Sequence, residues 1–148
     1  THTLIDRIRQ RPGRKILVAG NHDNAFLDRL RAAFDEVACC AHMPGAQDEP
    51  DLLCTHVPLD TVPEGCVNVH GHVHLKSTID KCRINVCVEQ IGYRPVRVRD
   101  IRELAARLDR AADRLDLART RGNTTPEHFI DWAKDLANVG AAGEGAAP

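Results

Sequence analysis

The sequence predicts an α/β or α+β layer fold, and three observations carry that reading. Short apolar runs stop abruptly at glycine, proline or polar residues, as strands do. Between some of these runs apolar residues recur at steps of three and four, the spacing of one helix face. The resulting order, helix, strand, helix and then four strands, suits helices layered on sheet and not a bundle.

Residues 3–10 read as a short helix with Leu4, Ile5 and Ile8 on one face, ended by Pro12 and Gly13. Residues 15–19 form the first strand around Ile16, Leu17 and Val18, and Gly20 frees the backbone for a sharp exit. Residues 24–34 place Phe26, Leu27, Leu30 and Phe34 on one side of a helix, a stripe expected in the core. Residues 36–43 and 51–57 are the next strand candidates, joined by the loop PGAQDEP, whose Pro, Gly and acidic residues suit a solvated turn. Residues 66–69 and 83–89 complete the strands.

Past Tyr93, Arg94 and Pro95 the composition turns to Ala, Leu, Arg and Asp. Asp100 with Glu103 resembles a capping box, and Ile101, Leu104, Leu108, Ala111 and Leu115 hold one apolar face to about Thr120. A second helix is expected from Thr125 and Pro126, with Phe129, Ile130, Ala133, Leu136 and Ala137 on one side and Trp132 beside them. Residues 140–148 carry too little apolar bulk to pack and are expected to be disordered. The chain thus divides into a domain over 1–98, a helical segment over 99–139 and a tail.

A length of 148 residues suits one core. With 20 Lys plus Arg against 21 Asp plus Glu, no broad basic footprint disposes the chain to nucleic acid. No apolar run approaches the roughly 20 residues of a membrane span, and no secretory signal is visible, so the expected compartment is the cytosol. The six cysteines form no CxxC pair and mostly fall within apolar runs, which reads as buried thiols. A zinc site from Cys82, Cys87 and a histidine is a poor match to ligand spacing. The first residue is Thr1, which either processing or truncation would produce.

Three strand ends carry candidate chemistry. The first presents Asn21, His22 and Asp23 together, an amide oxygen, an imidazole and a carboxylate within reach of one small ligand or metal. The bland alternative is a turn in which Asn21 or Asp23 caps the following helix. The second places His56 where an apolar run stops at Pro58, and the third, VNVHGHVH, offers His70, His72 and His74. On an extended chain His72 and His74, two apart, face the same side and could serve one metal or two adjacent metals. Ligands in α/β sheets gather beyond the carboxyl ends of strands, where all three groups lie.

The ordered set of Gly20, Asn21, His22 and Asp23, then His56, then Gly71, His72, Val73 and His74 resembles the calcineurin-like metallophosphoesterase family. INVCVEQIGYRPV, residues 84–96, is similar to the strand and turn that follow the last histidine motif there. The resemblance spans about residues 15–96. It implies a two-sheet αββα sandwich flanked by helices, holding two divalent ions (Mn, Fe, Zn or Ni) and hydrolysing phosphoesters. Carried over by position, Asn21, His56 and His72 would ligate one ion and His74 the other. His22 would assist catalysis, with Asp23 orienting its ring. Neutral imidazole and amide donors leave the metal charge uncancelled, so a bound water ionises near neutral pH.

The family's earlier Asp-x-His and Gly-Asp motifs are absent, since only fourteen residues precede Lys15 and neither His2 nor Asp6 has the required order. The second ion therefore keeps His74 alone, and one bound ion is the expectation. Three explanations are ranked: a part of a longer enzyme, a reduced relative that binds metal or phosphate, and an interaction module. Substrate selection is assigned to loops such as residues 43–50, whose Gln47, Asp48 and Glu49 disfavour a long polyanion; a small phosphoester is the expected substrate.

Overall fold

The computed structural model describes residues 2–76 and 81–120, and these form a mixed α/β arrangement with two small sheets. Helix α1 (His2–Arg9) precedes strand β1 (Ile16–Val18); a 3-10 turn over Asn24–Phe26 then leads into α2 (Leu27–Ala33). Strands β2 (Glu36–Ala38), β3 (Cys40–Met43), β4 (Asp51–Thr55), β5 (Cys66–His70) and β6 (Arg83–Asn85) follow, and α3 (Val98–Thr120) closes the set. β1 pairs with β2 in parallel, while the second sheet runs β3-β4-β5-β6, antiparallel for β3 with β4 and parallel thereafter.

The expected strand over residues 36–43 is two strands in two sheets, because its partner runs out. β1 aligns Ile16 with Glu36 and Val18 with Ala38, and then exits at Gly20. Beyond that point the chain bends at Cys39 and β3 takes β4 as its neighbour, pairing Cys40 with Thr55 and Met43 with Leu52. The expected strand over residues 83–89 also stops early, at Asn85. The Asn85 Oδ1 accepts the Cys87 N–H at 2.9 Å, a side-chain turn that diverts the backbone into the bends of residues 87–93.

The two faces of the four-stranded sheet have opposite characters. Alternation puts Leu52, Val67, Val69 and Ile84 on one face, and Ile101, Leu104, Ala105 and Leu108 of α3 pack onto it at helical spacing. Each aliphatic side chain sequestered there contributes about 1.5–3 kcal/mol of transfer free energy. The start of α3 therefore shares one core with the sheet. α3 starts two residues ahead of the supposed capping box, and the Asp100 carboxylate inside its first turn accepts from Arg97 Nε at 2.8 Å.

The other face carries Asn68, His70 and Asn85, all 0% exposed. Buried amides must find partners, since an orphaned one costs about 1–3 kcal/mol. Asn68 donates to Leu53 O at 2.9 Å and Thr55 Oγ1 at 2.8 Å, and accepts Leu59 N–H at 2.9 Å. It thereby ties down both sides of the turn that contains His56.

Among the described residues none of the six cysteines is in a disulfide, but burial of most of them does not hold: Cys39 and Cys40 are exposed, Cys54, Cys66 and Cys82 half-buried, and only Cys87 is buried. A bend and a strand end at residues 39 and 40 leave those two thiols on the surface. No described helix is long and apolar enough to cross a membrane. The second helix expected after Thr125 and the tail over 140–148 lie outside the described residues.

Candidate metal centre

The C-terminal ends of β1, β4 and β5 bring three predicted side chains together. Asn21 Oδ1 lies 2.7 Å from His56 Nε2, and His72 Nδ1 lies 3.0 Å from the same nitrogen. The His56 and His72 rings meet edge to face, with centroids 4.8 Å apart. Gly71 N–H donates to His56 O at 3.1 Å, fastening the turn after β5 to the turn after β4.

Hydrogen bonding by itself leaves this arrangement incomplete. An imidazole nitrogen offers one in-plane hydrogen or one lone pair, not both. If His56 Nε2 carries the proton and donates to Asn21 Oδ1, it has no lone pair for His72. If it accepts from His72 Nδ1–H, its lone pair faces the Asn21 oxygen. A cation satisfies all three donors together. Bonds of about 2.1 Å imply donor-to-donor edges of about 3.0–3.4 Å around a tetrahedral or octahedral ion; the 3.0 Å pair lies at the lower edge of that range and the 2.7 Å pair just below it, so an ion would spread the three donors slightly. Among the described residues no three His, Cys, Asp or Glu side chains form a metal-binding group; the third donor of this cluster is an asparagine oxygen.

The turn after β1 is set by Asp23. Its carboxylate accepts Gly20 N–H at 2.7 Å, while its own N–H donates to Gly20 O at 3.1 Å. Asp23 therefore holds the loop that presents Asn21 and His22, a contact different from the ring-orienting one expected. It makes no side-chain cap to the 3-10 turn that follows. His22 is exposed at the tip of this loop.

The same-face argument for His72 and His74 fails, because the strand ends at His70 and the chain turns. His72 and His74 both adopt left-handed backbone, with φ of 67° and 51°. Such a conformation costs about 1–3 kcal/mol for a residue with a side chain. The two rings consequently diverge: His72 reaches His56, whereas His74 Nδ1 lies 2.6 Å from Glu89 Oε1. That hydrogen bond holds the Glu89 carboxyl below its ordinary range. Glu89 escaped the sequence reading because it was placed in a strand; the turn that follows Asn85 carries it to His74.

The loop over residues 43–50 also lies elsewhere. It precedes Asp51 at the start of β4, whereas His56 follows the strand's end, a separation of about 13 Å along the strand. Arg102 of α3 anchors it by donating to Pro50 O at 2.6 Å and Pro44 O at 2.8 Å. The loop expected to select substrate therefore sits at the opposite end of β4 from the histidine cluster.

Burial, first of all, and the neighbouring His72 hold the His56 pKa below its ordinary 6.5, with His22 adding to this and Asp23 opposing it. The unfolded chain then binds a proton that the folded chain resists. Stability contributed by the neutral ring is complete above about pH 6.5 and declines as pH falls from there through the depressed value. We expect the unfolding midpoint of the metal-free protein to drop between pH 7 and pH 5, and the drop to shrink in His56→Gln. An equal drop in that variant would place the pH sensitivity elsewhere.

No protein-family model, curated protein or solved structure matches the chain.

Proposed function

We propose that the chain carries a divalent-metal centre for phosphoester hydrolysis, in a fold of the calcineurin-like metallophosphoesterase type. The observation that carries the reading is the convergence of Asn21 Oδ1 and His72 Nδ1 on His56 Nε2, each within 3.0 Å of it. All three donors are neutral and come from strand ends, where α/β sheets gather their ligands. His74, its ring oriented by Glu89, would be the lone protein ligand of a second ion and hold it poorly.

A divalent ion there supplies Lewis acidity toward a phosphoryl oxygen and lowers the pKa of a bound water. The protein's own part is positioning and proton movement. Hydrolysis joins a water oxygen to phosphorus and breaks the ester P–O bond, and the departing oxygen needs a proton. His22, one residue beyond the ligand Asn21, is placed to give it or to hydrogen-bond a phosphate oxygen. Asp23 keeps that loop in shape through Gly20 N–H. The substrate class we favour is a small phosphoester.

Metal binding without efficient turnover is the second reading. It is favoured because no three His, Cys, Asp or Glu side chains group to hold an ion among the described residues, and a two-metal clamp needs its ions held roughly 3.5–4 Å apart. The purified chain is therefore expected to hold at most one transition-metal ion and to hydrolyse an aryl phosphate weakly under added Mn²⁺. Elemental analysis beside a steady-state assay decides this. Zero ions would end the metal reading, and one ion with no turnover above background would favour binding alone. Two tightly held ions with robust turnover would show that other ligands complete the site.

A further inference from the structure

We propose that Asn85 and Gln90 are positioning residues that hold the His72–His74 turn in its cation-binding shape. The inference rests on the metal reading above and adds to it the residues that impose the geometry. Asn85, 0% exposed, lies at the end of β6 in register with His70, directly beside the strand end from which the turn departs. Its Nδ2 donates to His74 O at 2.9 Å and to Lys76 O at 3.2 Å, and its Oδ1 accepts Cys87 N–H at 2.9 Å. Gln90 Nε2 donates to the same His74 carbonyl at 3.0 Å.

One carbonyl thus receives two side-chain amides, and it belongs to a residue in left-handed backbone. Left alone, a chain with φ of 67° at His72 and 51° at His74 relaxes toward ordinary values. Relaxation at His72 would swing its ring and break the 3.0 Å approach of Nδ1 to His56 Nε2. The two amides oppose this by holding the His74 carbonyl from two sides. They also join the β6 turn to the turn after β5, so the ligand geometry depends on a neighbouring strand.

The test uses Co²⁺ as the probe on the whole chain, with Gln90→Leu as the mild variant and Asn85→Leu as the severe one. Gln90→Leu is expected to weaken Co²⁺ binding about 10–100-fold and to change the visible ligand-field spectrum, with the metal-free unfolding midpoint unchanged. In the metal-free protein the nuclear Overhauser contact between the His56 and His72 rings should weaken in the same variant. Asn85→Leu should do more of the same, and if it does not fold, Gln90→Leu decides alone. Unchanged Co²⁺ affinity, spectrum and ring contact in Gln90→Leu would overturn the proposal. A parent chain that binds no Co²⁺ would overturn the metal reading instead, and the ring contact would still decide whether these amides position His72.

Discussion

Gly20→Ala is expected to weaken cation binding by at least about a hundred-fold, more than the loss of an outer-shell partner. A Cβ at Gly20 would lie 2.7 Å from both Cε1 and Nδ1 of His56, and 3.1 Å from Cγ. These are atoms of one rigid ring, so no flexible end can move aside and the whole imidazole must shift. His56 Nε2 is the atom on which Asn21 and His72 both converge. Displacing it therefore undoes both contacts at once. The backbone at Gly20 does not require glycine, since among the described residues the positive-φ glycines are Gly13, Gly65 and Gly92. Its role is space for the ring, and the conformational freedom inferred from the sequence is a smaller matter. A Co²⁺ titration checks this, with unfolding of the metal-free protein measured in parallel. Parental affinity in Gly20→Ala would mean that the His56 ring is not held where the structure has it.

His22→Ala is expected to lower kcat for aryl phosphate hydrolysis by about 10²–10⁴-fold while metal content stays at the parental level. The expectation follows from placement: His22 is exposed beside Asn21 and lies outside the contacts that join the three converging donors. An acid that protonates the leaving oxygen matters most for poor leaving groups. The loss should thus be larger for an alkyl phosphate than for an activated aryl phosphate. The full fall is expected in the complete enzyme; in this chain, whose turnover is itself expected to be weak, it is read as loss of the activated aryl phosphate signal. Metal loss in His22→Ala would make it a ligand, and retained turnover would remove it from the chemistry.

Much of the element order was legible because it depends on short-range pattern. The helix with Leu27 and Leu30, the strands around Leu17, Leu52 and Val67, and the helix with Ile101, Leu104 and Leu108 announce themselves by apolar spacing that any neighbour would satisfy. Strand limits were less legible, because pairing partners set them. The break at Cys39 follows from where β1 ends, and the early stop at Asn85 follows from a side-chain turn that competes with the ladder.

By itself the sequence determined which residues carry candidate chemistry and that each histidine or asparagine stands just past a strand. Only the tertiary structure decided which of them meet. Asn21 and His56 are 35 positions apart, and their contact exists because β1 and β4 deliver their turns to one place. His72 and His74, two positions apart, were expected to act side by side, yet left-handed backbone at both sends one to His56 and the other to Glu89. Strand alternation holds only while the chain stays extended, and a turn that depends on Asn85 and Gln90 from elsewhere in the chain cancels it. The loop with Asp48 and Glu49 shows the converse. Its composition was plain, but its place at the far end of the sheet follows from strand direction and from Arg102 on α3. Side-chain identity is a local property, whereas convergence depends on strand pairing and on buried amides far away in sequence.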